Sequence, residues 1–126
     1  MRKVITIIAM MLAMALQGQT REQVMAEIQR QGIPHPDIVL AQARLETGNF
    51  KSEQCQRDHN LFGMKMRRGK RYARYRNWKE SVKDYKERIS SRYQGGDYYA
   101  FLRRIGYASD PKYISKVRNI VKTTKP

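Results

Sequence analysis

Ala41-Gln42-Ala43-Arg44-Leu45-Glu46-Thr47-Gly48 places one carboxylate near the end of an otherwise apolar helix. Val39, Ala43 and Glu46 share one side of that helix, because residues i, i+4 and i+7 recur together at about 100° per residue. We expect that side to face the core. A carboxylate directed there needs an ionic partner, a cavity or a catalytic role.

The N-terminal residues resemble a secretory signal peptide. Arg2 and Lys3 precede an uncharged, mostly apolar run over 4–16, and Ala15 and Gly18 offer alternative cleavage sites. A membrane anchor is the alternative, but a spanning helix needs roughly 20 apolar residues. We therefore expect a cleaved signal peptide at 1–18, a single domain at 19–126 with no stable membrane anchor, and a secreted or periplasmic protein.

The composition sets the class of partner. The net charge of +15 favours polyanions, namely nucleic acid, an anionic cell wall or an anionic membrane surface. Cys55 is the only cysteine, so no internal disulfide can form and side-chain packing must stabilise the domain.

Hydrophobic periodicity predicts a mainly helical domain. The expected helices cover 20–31, 36–48, 78–89 and 98–105, and a last helix begins at Asp110-Pro111. Thr20 and Gln23 form a capping box at the start of the first helix. One short helical turn is expected within 49–60. Apolar residues alternate over 61–75 around the turn Arg67-Arg68-Gly69-Lys70, which predicts a β-hairpin. The predicted class is therefore α+β, predominantly helical, with one small β-hairpin lobe.

Glu46 has two readings from the helix pattern alone. An apolar setting raises the pKa of a carboxyl group, and such a group can protonate the leaving oxygen of a sugar linkage. Alternatively, Glu46 pairs with one of the many basic residues or reaches solvent at the helix end.

Three motifs occur in order: the 41–48 stretch, then Asn60-Leu61-Phe62-Gly63-Met64-Lys65, then Tyr107-Ala108-Ser109-Asp110-Pro111-Lys112-Tyr113. Together they resemble the glucosaminidase domain of glycoside hydrolase family 73 over about residues 21–121. The resemblance implies a lysozyme-like fold. It also implies an endo-β-N-acetylglucosaminidase that cleaves the peptidoglycan backbone on the reducing side of N-acetylglucosamine, without a cofactor.

The resemblance also implies site residues. Glu46 matches the catalytic acid, and Tyr107 matches a cleft tyrosine that supports catalysis, although a packed aromatic would also suit that position. The residues matched to substrate binding are Asn60, Phe62, Gly63, Tyr75, Trp78, Asp110 and Tyr113. Asp110 is also explained as a helix cap.

The chain departs from the family in one respect. Some members carry a second acidic residue in the β-lobe, whereas 61–79 contains neither Asp nor Glu. Our hypothesis is that the 2-acetamido group of the substrate attacks the anomeric carbon while Glu46 protonates the leaving oxygen. Tyr107 would orient that amide, and Asp58, Asp97 and Asp110 are the candidate helpers.

Basic and aromatic residues alternate along the hairpin and beyond it. They are Arg67, Arg68, Lys70, Arg71, Tyr72, Arg74, Tyr75, Arg76 and Trp78. This pattern suits a glycan with peptide carboxylates, a nucleic acid, or a solvated hairpin in a basic protein. The signal peptide argues against nucleic acid, so we expect peptidoglycan strands as the partner and a monomer as the acting form.

A metal site is not expected. Cys55 and His59 supply only two ligands, whereas zinc sites take three or four protein groups. The alternatives to a hydrolase are a lytic transglycosylase, which shares the single acid, and a non-catalytic module that binds the cell wall or another polyanion.

Overall fold

The computed structural model of the chain describes residues 19–124. Within this range the backbone forms six α-helices and one short 3₁₀ helix. They are α1 (Arg21–Arg30), α2 (Pro36–Thr47), α3 (Glu53–Asp58), α4 (Trp78–Arg88), the 3₁₀ helix Ser90–Arg92, α5 (Tyr98–Arg104) and α6 (Tyr113–Thr124). The signal peptide predicted at 1–18 lies outside the described residues. None of the described helices is long and apolar enough to cross a membrane.

Local sequence explains the helix ends. The hydroxyl of Thr20 accepts the backbone N–H of Gln23 at 3.1 Å, and the Gln23 side chain accepts the N–H of Thr20 at 2.9 Å, which completes the predicted capping box. Pro36 begins α2, and Gly48 follows its last residue in the left-handed conformation with φ 56°. The predicted bounds of these two helices are confirmed to within a residue.

The central helix is α2, which packs against α1 and α6. Residues 38–43 of this helix are all buried. The other fully buried side chains come from neighbouring helices and from the segment after α3, among them Val24, Ile28, Phe62, Val82, Tyr85, Phe101 and Val117. Each such apolar side chain stabilises the fold by about 1.5–3 kcal/mol. This packing fixes the last turn of α2 at the core boundary.

The predicted β-hairpin is reduced to one antiparallel bridge between Lys65 and Tyr72. Backbone hydrogen bonds of 2.8 Å from Met66 N to Arg71 O and from Ala73 N to Met64 O flank it. Residues 65–72 are all exposed, and a two-stranded pairing with neither face on a core is only marginally stable. The predominantly helical class is confirmed, the small β-lobe is corrected to a bridged loop, and the lysozyme-like arrangement stays a prediction.

Candidate active site

Glu46 lies in the last turn of α2 beside an open cleft of about 650 Å³. This volume is within the range of small-molecule sites. The walls come from the end of α2, residues 62–65, the end of α4 and the chain between α5 and α6. Of the residues named from the sequence, the cleft brings together Glu46, Phe62, Gly63, Tyr107, Asp110 and Tyr113.

The side chain of Glu46 is exposed, so the expectation that it faces the core is wrong. Val39 and Ala43 on the same side are fully buried, but the last turn of α2 has passed the core and reached the cleft. The carboxyl group is nevertheless crowded. Burial raises the pKa of Glu46, and a hydrogen bond with Tyr113 opposes that rise. An accessible carboxyl group with a raised pKa is suited to proton donation.

Gly63 brings its backbone against the carboxyl group of Glu46. A Cβ atom added at Gly63 would lie 3.0 Å from Oε2 of Glu46, and the backbone has φ +63°. Both features favour glycine, because a side chain would strain the backbone and displace the carboxylate. The Asn60–Lys65 motif therefore positions Glu46 through a residue that has no side chain.

Tyr107 and Tyr113 stand beside Glu46, with ring centroids 5.5 Å apart. Burial is the main cause that raises the pKa of both hydroxyls, and the charge of Glu46 adds to it. Tyr107 is partly buried and donates a long hydrogen bond of 3.4 Å to the carbonyl of Phe62. Both phenols therefore keep their protons near neutral pH.

A buried series of hydrogen bonds runs from the core to Tyr113 in the cleft wall. The hydroxyls of Tyr98 and Tyr85 are 2.7 Å apart, and Tyr85 donates to Oε1 of Gln42 at 2.5 Å. Nε2 of Gln42 donates to the hydroxyl of Tyr113 at 3.1 Å, and Tyr113 lines the cleft together with Glu46. Gln42 had no predicted role, although a single amide within the apolar run of α2 is a signal of a buried hydrogen bond.

Asp110 is the candidate for a second carboxylate at the cleft. Among the described residues it is the only other carboxylate lining the cleft. It is exposed, pairs with Lys116 at 2.8 Å and accepts the N–H of Lys112 at 2.9 Å, and these hydrogen bonds hold its pKa below the usual value. Of the other helpers considered, Asp58 lies beside Arg57 and Arg74, and Asp97 caps α5.

Four cations line the cleft, and the sequence did not identify them. They are Lys65, Arg88, Arg92 and Lys116. Arg88 pairs with Asp84 at 3.2 Å, whereas Lys65 and Arg92 make no ion pair within residues 19–124. Lys65 ends the Asn60–Lys65 motif, whereas Arg88, Arg92 and Lys116 lie in no motif, and only the fold brings the four together. The cleft therefore carries more positive than negative groups.

Asn60 lies behind the cleft wall and closes the loop after α3. Its Oδ1 accepts the N–H of Met64 at 3.1 Å, and its Nδ2 donates to the carbonyls of Met64 at 2.8 Å and Ala73 at 3.0 Å. Asn60 is buried and does not line the cleft. It holds the turn that presents Phe62 and Gly63.

Tyr75 and Trp78 also lie away from the cleft lining. The hydroxyl of Tyr75 donates to Oδ2 of Asp84 at 2.5 Å, and burial raises its pKa. Trp78 begins α4 and packs partly buried against the core. These contacts give both side chains a packing role.

The basic residues after Lys65 do not form one surface with the cleft. A second open cavity of about 850 Å³ is lined by Met66, Arg71, Tyr72 and Arg74 together with residues of α3, and shares no lining residue with the cleft. Arg67 and Arg76 pair with acidic residues of α4. In the described part of the chain, no three His, Cys, Asp or Glu side chains cluster as metal ligands would.

The chain matches a known family. The family model described as Glucosaminidase, mannosyl-glycoprotein endo-beta-N-acetylglucosaminidase, matches residues 21–126. The match contains all three motifs and every residue that lines the cleft. Comparison with curated proteins and with solved structures found no significant match.

Proposed function

The chain belongs to the glucosaminidase family, glycoside hydrolases of the peptidoglycan backbone, and from that premise we propose that it is an endo-β-N-acetylglucosaminidase with Glu46 as general acid. The proposed bond is the one on the reducing side of N-acetylglucosamine. The observation that carries this proposal is a single accessible carboxyl group with a raised pKa beside an open cleft.

Glu46 would act on the oxygen that joins two sugars. Its proton passes to that oxygen as the bond between the oxygen and the anomeric carbon breaks. A water molecule then adds to the anomeric carbon and returns a proton to Glu46. One water is consumed for each bond broken, and the enzyme ends in its starting protonation state.

The electrons that stabilise the anomeric carbon would come from the substrate. Asp110 is a poor nucleophile for this purpose because Lys116 and the N–H of Lys112 already occupy its oxygens. We therefore assign the attack to the carbonyl oxygen of the 2-acetamido group of the N-acetylglucosamine unit. Tyr107, a neutral donor beside Glu46, would orient that amide.

The charge of the cleft supports peptidoglycan as the substrate class. Peptidoglycan strands carry peptides with carboxylates, whereas a chitin chain is neutral. Lys65 and Arg92 line the cleft without an ionic partner among the described residues, so they are available to such carboxylates. Within this proposal Phe62, Gly63, Asp110 and Tyr113 shape the sugar site, while Asn60, Tyr75 and Trp78 support it from behind.

The setting of the enzyme follows from its substrate. Peptidoglycan lies outside the cytoplasmic membrane, which supports extracellular or periplasmic action of the domain at 19–126 after removal of a signal peptide. We also propose that the monomer is the acting form.

Digestion of purified peptidoglycan, read by mass spectrometry, tests the proposal. We expect fragments that gain one water and end in a reducible N-acetylglucosamine. Fragments that end in an anhydro sugar would assign the chain to lytic transglycosylases, which share a single acid. Reducible N-acetylmuramic acid ends would contradict the assigned bond, and no soluble fragments would favour a module that only binds the wall.

A further inference from the structure

The proposed function gives no role to the second cavity, which lies beyond the bridged loop. Its volume of about 850 Å³ is within the range of small-molecule sites. The lining comes from α3, from Met66 and from residues 71–74. Lys65 lines the cleft whereas Met66 lines the second cavity, so the bridged loop separates the two. A ligand in the second cavity therefore leaves the cleft free for substrate.

Two large apolar side chains stay exposed in the described part of the chain, and both line this cavity. Met66 is 51% exposed and Tyr72 is 50% exposed. Exposed apolar side chains that occur together are a signal of a binding site, whereas single ones are ordinary. The ring of Tyr72 also offers a flat apolar face with a hydroxyl at its edge. That combination suits the C–H face of a sugar ring and the hydroxyl groups around it.

Arg71 is the one cation of the lining that has no acidic partner among the described residues. Arg57 pairs with Glu53 and with Asp58, in each case at 3.2 Å. Nε of Arg74 lies 3.7 Å from Oδ1 of the same Asp58. Both acidic side chains of the lining are thus already paired. The guanidinium of Arg71 is exposed and free to bind a carboxylate through two parallel N–H groups.

Gln54 brings an unused amide to the same cavity. Its Nε2 is buried and has no hydrogen-bond partner within residues 19–124. A buried N–H without an acceptor destabilises a fold, so such donors are rare. Rotation about the last bond of the side chain turns the amide over and presents its donors to the cavity, and Nε2 gives up no protein hydrogen bond in doing so. A carbonyl oxygen of a ligand would then satisfy these donors.

We propose that the second cavity is a non-catalytic binding site for an N-acetylated sugar that carries a carboxylate, as the peptide-bearing sugars of peptidoglycan do. Tyr72 and Met66 contact the sugar ring and its acetyl methyl group. Arg71 binds the carboxylate, and Gln54 donates to an amide carbonyl. The choice of ligand rests on the proposed function, because peptidoglycan is the polymer assigned to the cleft. The site holds the enzyme on the wall between one cleavage and the next.

The charges of the lining favour this ligand over a nucleic acid. A nucleic acid strand is held by a row of cations that neutralise successive phosphates. In the described chain the second cavity offers one unpaired cation, Arg71, and its lining also contains Glu53, whose side chain is 86% exposed. A ligand with a single carboxylate matches this supply.

An NMR titration with N-acetylmuramyl dipeptide locates the ligand. This probe carries an N-acetylated sugar, amide carbonyls and a carboxylate, and it has no linkage between sugars to cleave. In the isotope-labelled protein we expect amide shifts to change within 53–58 and 66–74. Changes confined to the residues that line the cleft, or no changes at all, would overturn the proposal.

Substitutions at the cavity test the assigned contacts in the same titration. We expect Arg71→Ala and Tyr72→Ala each to weaken binding of the dipeptide about fivefold. Tyr72→Phe keeps the ring and should bind as wild type does. Arg103→Ala removes an exposed cation outside both cavities and should also leave the affinity in place. Wild-type affinity in Arg71→Ala and Tyr72→Ala would contradict the site.

Gln54→Met distinguishes binding from a structural role of the amide. Loss of an unpaired buried donor should not lower the thermal midpoint, whereas the affinity for the dipeptide should fall about threefold. Gln56→Met is the matched control, because Gln56 is exposed on the same helix and lies outside the lining. A lower thermal midpoint with unchanged affinity would contradict the assigned contact of Gln54.

Retention on purified peptidoglycan separates this inference from the proposed function. Glu46→Gln serves as the starting protein, so that the wall is not consumed during the measurement. Retention should fall when Arg71→Ala and Tyr72→Ala are added and should stay with Arg103→Ala, whether or not wild type cleaves the wall. Retention that neither added substitution changes overturns the inference. An oligonucleotide that binds the second cavity more tightly than the dipeptide at equal salt also overturns it.

Discussion

Nε2 of Gln42 lies 3.1 Å from the hydroxyl oxygen of Tyr113, and this hydrogen bond joins α2 to α6 one helical turn before Glu46. Gln42 and Glu46 are four residues apart, so they share a face of α2. Gln42 is buried and Glu46 is exposed. The same helix face therefore passes from the hydrogen-bonded core into the cleft, and Tyr113 spans the boundary.

Tyr113→Phe should separate the two causes that act on the pKa of Glu46. Burial raises this pKa and the hydrogen bond with Tyr113 lowers it, so removal of the hydroxyl should raise it further. We expect the basic limb of the pH profile to move to higher pH and kcat to fall about tenfold. The matched control is Tyr99→Phe, whose ring packs under Arg118 away from the cleft. An unmoved basic limb in a folded Tyr113→Phe protein would contradict this role.

Gly63→Ala should impair activity through contact with Glu46. The new Cβ would lie 3.0 Å from Oε2 of Glu46 and displace the carboxyl group. We expect a loss of kcat of about tenfold or more. Gly69→Ala is the control, because its backbone has φ +90° but its Cβ would meet nothing within 4 Å. Both substitutions strain the backbone by about 1–2 kcal/mol, so equal losses of activity would show that strain, and not the contact, is responsible.

Arg92→Ala should reveal how the cleft distinguishes its substrates. Arg92 lines the cleft and has no ionic partner among the described residues, so we assign it to a peptide carboxylate. We expect KM for peptide-bearing glycan fragments to rise severalfold, with little change for neutral chito-oligosaccharides. Arg103→Ala, an exposed position outside the cleft lining, should change neither value. Equal effects on both substrates would refute carboxylate recognition.

Glu27 should make stability depend on pH. Its side chain is 4% exposed, and a hydrogen bond from Arg30 holds its pKa below 4.5. A lowered folded-state pKa contributes stability above the unfolded-state pKa, and this contribution is lost as pH falls through the folded-state value. Glu27→Gln should therefore lower the free energy of unfolding by about 1–2 kcal/mol at pH 7 and by less near pH 3.

Urea unfolding at the two pH values checks this prediction. Glu22→Gln is the control, because Glu22 is 75% exposed and its pair with Arg21 should contribute little. A difference between Glu27→Gln and wild type that stays constant from pH 7 to pH 3 would exclude the carboxylate as the cause.

Local signals made most of the helices predictable. The capping box at Thr20, the proline at Pro36 and the glycine at Gly48 each depend on residues within one turn, so the sequence contains the whole cause. The bridged loop was predicted less well, because alternation over 61–75 indicates strand geometry but not whether a core covers either face.

The cleft was only partly predictable. The motifs predicted Glu46, Tyr107 and Tyr113 as site residues. The spacing of residues gives the side of α2 on which Glu46 lies, but not that the core ends before Glu46 along the helix. Arg92 lies in no motif and Lys65 stands at the end of one, and only tertiary structure brings these separate segments to one cleft. A buried amide such as Gln42 must be paired, but its partners lie 43 and 71 residues away in the chain.

Release of soluble fragments from purified peptidoglycan by Glu46→Gln tests the central claim most directly. Glu53→Gln, an 86% exposed glutamate on α3, controls for the loss of a carboxylate, and circular dichroism checks that both variants fold. We predict that Glu46→Gln lowers the release rate roughly a thousandfold while Glu53→Gln matches wild type. Equal rates for Glu46→Gln and wild type would contradict Glu46 as the general acid.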